Sequence, residues 1–189
     1  MMIVVDSFRV QDGRMEGRDL HEQRTRKAAE QLGFVLPDSG LWDEALSQDG
    51  FPRISVSAER AWVDFRPLPQ LHDTIRLHPE PVEDPRTHPH IKGPDIPVLG
   101  ELRAAAMKDG YDDVILTKDG YVLETAHGNI LWFEGDTLMA VDPQLPVFQG
   151  VTQQLLLQSR PHAFGRIRPE ELLARPFWVV NSLHGIRRA

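Results

Sequence analysis

Residues 78–97 read HPEPVEDPRTHPHIKGPDIP. The density of proline leaves room neither for the two-residue alternation of a strand nor for the 3.6-residue period of a helix. The stretch is therefore predicted to be an irregular connection, and a stiff one, because each proline locks φ. A loop of that length in a small protein points to function rather than tethering. It divides the chain into an N-terminal α+β lobe over residues 1–80, a proline-rich interlobe segment over 81–95 and a C-terminal α+β lobe over 96–189.

Outward from that segment the pattern becomes regular. Residues 3–10 are β-branched and alternate up to the Asp12-Gly13 turn, so they predict a strand. Residues 19–32 (DLHEQRTRKAAEQL) place Leu20, Ala28, Ala29 and Leu32 at helical spacing, with Asp19 as the expected N-cap and Gly33 as the C-cap. Residues 41–46 predict a second short helix, 51–56 and 61–65 paired strands, and 74–77 a third strand of the same lobe. On the other side, residues 98–108 predict a helix ending near Gly110. Strands follow at 113–117, 121–124, 130–133 and 137–141, then a helix opened by Gly150-Val151-Thr152, a short helix at 169–173 and a last strand at 177–180. No internal repeat interrupts this order.

Bulk composition narrows the classes. With 189 residues and 41% hydrophobic content the chain is long enough for a sizeable core. A formal net charge of −7 lacks the basic footprint of a nucleic-acid binder, and the arginines at 166–168 and 187–188 read as solvated charges. Cysteine is absent, which removes disulfides, thiolate metal sites and cysteine nucleophiles. The apolar start is too short for a signal peptide, and no run approaches the length of a membrane span, so a soluble cytoplasmic protein is expected.

Lysine occurs only at Lys27, Lys92, Lys108 and Lys118. Lys27 sits on a helix face beside other cations, Lys108 in a last helical turn, and Lys118 at a hairpin tip. Lys92 differs, because it lies in the rigid interlobe segment, and clefts between lobes are where cofactors bind. A lysine that loses hydration there can act as an amine nucleophile toward an aldehyde.

Several motifs stand in one order along the chain: Asp6-Ser7-Phe8-Arg9-Val10 with Asp12-Gly13, His21-Glu22-Gln23-Arg24, Lys92-Gly93-Pro94-Asp95, and Gly120-Tyr121-Val122-Leu123-Glu124 with Asn129. Gly150-Val151-Thr152 and Asn181-Ser182-Leu183-His184-Gly185-Ile186 complete them. Taken together they resemble the fold-type-IV enzymes dependent on pyridoxal 5′-phosphate (PLP), which include D-amino-acid and branched-chain aminotransferases and aminodeoxychorismate lyase. The spacings of 32 positions from Lys92 to Glu124, and of 28 from Glu124 to Thr152, fit that family.

The resemblance implies a two-lobed D-amino-acid aminotransferase-like fold with the cofactor between the lobes. It makes Lys92 the catalytic residue that holds PLP as a Schiff base and moves the substrate proton. It makes Glu124 the partner of the pyridine nitrogen. Arg24, Val151, Thr152 and Ser182 become phosphate ligands, and Asn129 a residue that orders the loop around Glu124. Ser182 and Leu183 would seat the substrate carboxylate. A small amino acid or an aminodeoxychorismate-like substrate, and a homodimer, follow from the same likeness. Gln153 stands where the family often has arginine, Ile96 replaces a common aromatic residue, and the ending at 181–186 leans toward the lyase branch.

Two alternatives share the residues. A degenerate member would keep the fold without turnover, which the short length motivates and the retention of Arg24, Lys92, Glu124 and Thr152 opposes. A histidine-based metal enzyme would use His78, His88 and His90 with Glu80, Glu83, Asp84 or Asp95, but Pro89 restricts convergence of the His88 and His90 rings.

Overall fold

In the computed structural model, which describes residues 2–189, the chain folds as two compact units that do not follow chain order. One comprises the chain up to Leu71 together with Ile91–Pro94; the other comprises His72–His90 and Asp95–Ala189.

The first unit holds a three-stranded antiparallel sheet, ordered β1 (Val4–Ser7), β2 (Arg53–Val56), β3 (Ala61–Asp64). Helices α1 (Arg18–Leu32) and α2 (Ser39–Ala45) complete it. The predicted Asp19 N-cap is not formed. Gly17, in the left-handed conformation, occupies that position, and Asp19 lies inside the first turn, where its charge complements the helix dipole. Gly33 does close α1, also left-handed, and α2 is capped by Asp38, whose carboxylate accepts the Leu41 amide. The core of this unit is built on Phe8 and Trp42, stacked at 5.7 Å between centroids and packed with Val4, Val10, Ala29, Ile54 and Val56. Burial of each such large side chain contributes about 1.5–3 kcal/mol.

The second unit is organised by one eight-stranded sheet. Its strands are β4 (Leu77–Glu83), β5 (Asp113–Lys118), β6 (Tyr121–Thr125), β7 (Gly128–Glu134), β8 (Thr137–Val141), β9 (His162–Gly165), β10 (Phe177–Asn181) and β11 (Gly185–Arg188). Along one edge β7 pairs with β10; along its other edge it meets β6 at its start and β8 over the rest. Both faces are covered. Ile130, Trp132, Met139, Val141 and Val179 point into the larger core. The alternate residues Leu131, Leu138, Ala140 and Val180 pack with Leu157 of helix α4 (Val151–Gln158). That explains why β7 and β8 are almost continuously apolar rather than alternating. Helix α3 (Ile96–Lys108) sets Ala106 and Leu102 against Val82 and Val114, and α5 (Pro169–Leu173) buries Leu172 in the larger core.

The irregular connection predicted from residue 78 is in part a strand. Residues 77–83 form β4, parallel to β5 at the edge of the sheet, with the register broken between His78 and Val82. An edge strand has one side that needs no ladder hydrogen bonds, and a bulge releases others, so Pro79 and Pro81 are tolerated there. The strand expected at 74–77 in the first lobe is not formed: Thr74 makes an isolated bridge to Arg188 and Leu77 opens β4, both within the second unit. No helix among the described residues is long and apolar enough to cross a membrane.

Candidate active site

The residues singled out by the sequence fall into two groups, one in each unit. In the first unit Asp6 is a fully buried carboxylate on β1, following Val4 and Val5. Such a group is tolerable only with partners, and α1 supplies them. Arg24 grips it with both prongs, Nε to Oδ2 and Nη2 to Oδ1, each at 2.6 Å. His21 donates from Nδ1 to Oδ1 at 2.8 Å, and the Thr25 hydroxyl donates to Oδ2 at 3.0 Å. Burial alone would raise the Asp6 carboxyl, but the Arg24 guanidinium and the hydrogen bonds from His21 and Arg24 hold it far below the usual carboxylate range. Positions 21, 24, 25 and 28 share one face of α1, which is how Arg24 comes to point inward.

Lys92 lies in a segment fastened to β1: its carbonyl accepts the Val5 amide at 2.8 Å, and the neighbouring Ile91 packs against the first unit's core. Gly93 makes this possible. Its φ is +146°, and a Cβ there would overlap the Ile3 carbonyl oxygen. Of the four lysines Lys92 alone is half-buried, the other three being exposed.

In the second unit Glu124 is buried on β6, opposite Asn129 on β7. Its Oε1 accepts two strong bonds, from Arg86 Nη1 at 2.7 Å and from the Phe148 amide at 2.8 Å. Its Oε2 accepts only a long one, from Asn129 Nδ2 at 3.5 Å, among the described residues. Asn129 spends its amide chiefly on the Phe148 carbonyl at 2.6 Å, and thereby orders the loop that meets Glu124. Gly150 clears the way, since a Cβ on it would overlap Asn129 Oδ1. Burial pushes the Glu124 carboxyl up to about 7, against the pull of Arg86 and the Phe148 amide.

Gly150 is also the N-cap of α4 and, as glycine, has no side chain of its own to cap the amides that follow it. Val151 is buried, and the Thr152 hydroxyl lies 3.4 Å from that of Ser182 in the turn between β10 and β11. Two hydroxyls and a helix N-terminus therefore converge on one place. Leu183 gives its amide to Asn181 Oδ1 at 3.1 Å, which shapes that turn.

Glu124, Asn129, Val151, Thr152 and Ser182 thus form one neighbourhood with Gly150, whereas Arg24 and Lys92 are held by β1. Arg86 and the Phe148 amide were missed from the sequence, His21 figured only within a motif, and Asp84 only as a possible metal ligand. Asp6 carried a readable signal, a lone carboxylate amid β-branched residues. Arg86 carried none beyond a position in the proline-rich segment. The rings of the histidines considered for a metal have other contacts: His78 Nδ1 lies 3.2 Å from the Glu80 carbonyl, His88 Nδ1 2.8 Å from the Thr87 hydroxyl and His90 Nδ1 3.2 Å from the Val147 carbonyl. Asp95 accepts from Thr87 and the His88 amide. Among the described residues no three of His, Cys, Asp and Glu are placed to hold one metal ion.

The amino-transferase class IV family model matches residues 3–189. The chain belongs to this family. That agrees with the fold-type-IV, PLP-dependent resemblance carried by the ordered motifs. Among solved structures, a hypothetical aminotransferase from Mycobacterium tuberculosis in its PLP-bound form is 21% identical, with a TM-score of 0.82 over 100% of this chain and 80% of that one. A provisionally named amino-acid aminotransferase from Mesorhizobium loti is 21% identical, with a TM-score of 0.85 over 100% of this chain and 99% of that one. A provisionally named 4-amino-4-deoxychorismate lyase from Legionella pneumophila is 17% identical, with a TM-score of 0.83 over 100% and 82%. These likenesses show the fold. No curated protein sequence matches the chain.

Proposed function

We propose that this class IV family member is a PLP-dependent enzyme acting on the amino group of a small amino-bearing acid, by transamination or by aminodeoxychorismate lyase-type elimination. The observation that carries the reading is Glu124: a buried carboxylate with one oxygen taken by two strong hydrogen bonds and the other holding only a long one among the described residues, in the same neighbourhood as a helix N-terminus with two hydroxyls. A phosphorylated pyridine fits this donor set. Glu124 Oε2 suits a ring N–H, and the first amides of α4 with Thr152 and Ser182 suit a phosphate.

In this reading Lys92 supplies the amine that attaches the cofactor, and its Nζ carries the proton to and from the substrate Cα. Glu124 holds the ring nitrogen, and Asn129 keeps its loop in place. Val151, Thr152 and Ser182 bind phosphate. Arg24, with its fork fixed by Asp6, adds the guanidinium charge. Ser182 and the Leu183 turn orient the substrate carboxylate. When bound, PLP supplies the electron sink that makes the Cα–H bond acidic. The same reading expects a homodimer in a cytoplasmic setting.

Purified protein supplied with PLP should develop a band at the edge of the visible range that Lys92→Ala lacks. Amino-donor screening should then release either a keto acid alone or pyruvate with 4-aminobenzoate, which separates transaminase from lyase. A protein that stays colourless with excess PLP would refute the proposal.

A further inference from the structure

Arg86 is an enclosed cation for which the motif reading found no role. Its side chain is 5% exposed, and its two partners are equally enclosed, Asp84 at 4% and Glu124 at 6%. The guanidinium lies flat against Asp84, with Nε to Oδ1 and Nη2 to Oδ2, both at 2.8 Å. The remaining Nη1 reaches Glu124 Oε1 at 2.7 Å, and Nη2 also touches the Pro146 carbonyl at 3.3 Å. Every prong is therefore assigned, and Asp84 fixes the direction in which the third points.

The charges do not balance. Two buried carboxylates share one guanidinium, so the triad carries a net negative charge away from water, which is costly unless a further cation or proton arrives. The place for it is set by geometry. Oε1 of Glu124 is already occupied by Arg86 and Phe148, while among the described residues Oε2 holds only the long contact from Asn129. A donor that brings one N–H and one positive charge to Oε2 completes both the hydrogen-bond set and the charge count.

We infer that Arg86, aimed by Asp84, is a positioning residue that fixes Glu124 through Oε1 so that Oε2 is presented to the cationic ring N–H of the cofactor. The inference rests on the cofactor reading above, and it goes beyond it by assigning the sharing of the charge. Arg86 favours the ionised carboxylate and Asp84 opposes it, so their removal has opposite effects on Glu124. The high proton affinity of Glu124 in this setting agrees, because without a cationic ligand the carboxyl takes up a proton near neutrality. The charged groups facing it are Arg86 and Asp84; Asn129 and the Phe148 amide are neutral.

The test is a carboxyl-carbon NMR titration of cofactor-free protein labelled at glutamate, with the Glu124 signal assigned by its loss in Glu124→Gln. Arg86→Met should raise the Glu124 midpoint by about 1–3 pH units. Arg86→Lys should restore part of the difference, and Asp84→Asn should lower the midpoint. A purely structural role would not give opposite signs. If Arg86→Met does not fold, Arg86→Lys and Asp84→Asn still decide the matter, since midpoints equal to the wild type in both would overturn the inference. A second measurement uses PLP labelled with nitrogen-15 in the ring. The wild-type complex should keep the pyridinium signal across neutral pH, and Arg86→Met should lose it as pH rises. If wild-type protein binds no PLP, the cofactor reading and the presentation to a ring N–H fall together. The opposed effects of Arg86 and Asp84 on Glu124 are still judged by the carboxyl titration.

Discussion

Gly93→Ala is the substitution whose cost the structure specifies most fully. Gly93 is buried beside Lys92 with φ +146°, a region that L side chains rarely adopt, and holding alanine there costs about 1–3 kcal/mol. The new methyl would overlap the Ile3 carbonyl oxygen and stand 2.9 Å from the Ile3 carbonyl carbon and 3.0 Å from Val4 Cα. All three atoms are backbone of Ile3 and Val4, which cannot swing aside as a side chain would, and overpacking of this kind costs about 1–3 kcal/mol more. Relief requires residues 91–94 to lift from β1, which breaks the Val5 amide to Lys92 carbonyl bond, worth about 1 kcal/mol. The sum is roughly 3–7 kcal/mol, a large part of the 5–15 kcal/mol that holds a typical domain together.

Urea unfolding followed by tryptophan fluorescence measures this loss, since Trp42 lies in the core of the same unit. Gly100→Ala is the control. Gly100 is within α3 with nothing inside 4 Å of its added Cβ, so that variant should gain about 0.5–1 kcal/mol. Gly93→Ala should also weaken PLP binding, because Lys92 moves with the segment. A Gly93→Ala protein within about 0.5 kcal/mol of wild type, a change no larger than an ordinary surface substitution, would refute the reasoning.

Two further outcomes follow from buried charges. Asp6→Asn removes a fully buried carboxylate that Arg24 grips with both prongs and should cost about 3–5 kcal/mol in urea unfolding. Because the Asp6 carboxyl is depressed in the folded state, its contribution is present above the ordinary carboxylate range, and acid unfolding should begin as pH falls below about 4. His184 is held neutral, its value lowered to about 4 by burial first and then by Arg187, His72 and Arg103. A depressed histidine contributes stability above its ordinary value near 6.5, and this is lost as pH falls toward 4. His184→Gln should therefore flatten the stability profile across that window by about 1–3 kcal/mol after allowance for solvent screening. An unchanged slope would remove His184 from the account.

The parts legible in the sequence are those decided locally or by a pattern spread along the chain. Strand β8 and helix α5 were read to the residue, because turn residues bracket them and their apolar spacing is unambiguous. The family was legible because six motifs keep one order, although each alone is weak. Strand β4 was hidden because Pro79 and Pro81 argue against a strand until its edge position is known. Strand β9 was missed because it is four residues long, half-exposed, and stabilised by parallel pairing to β8 rather than by its own pattern. Arg86 could not be read at all. Its meaning lies in a contact with a residue 38 positions away, and nothing in DPRT marks that. Asp6 was quoted as part of a motif, but its role as the anchor of Arg24 depends on β1 lying against α1.

The central claim is that Lys92 carries the cofactor, and covalent trapping tests it most directly. Protein equilibrated with PLP is treated with borohydride, which makes a cofactor–lysine linkage permanent, then digested and mapped by mass spectrometry. The account predicts one phosphopyridoxyl group on the peptide containing Lys92, and none in Lys92→Ala. Modification spread over Lys27, Lys108 and Lys118, or none on Lys92 under saturating PLP, would contradict it.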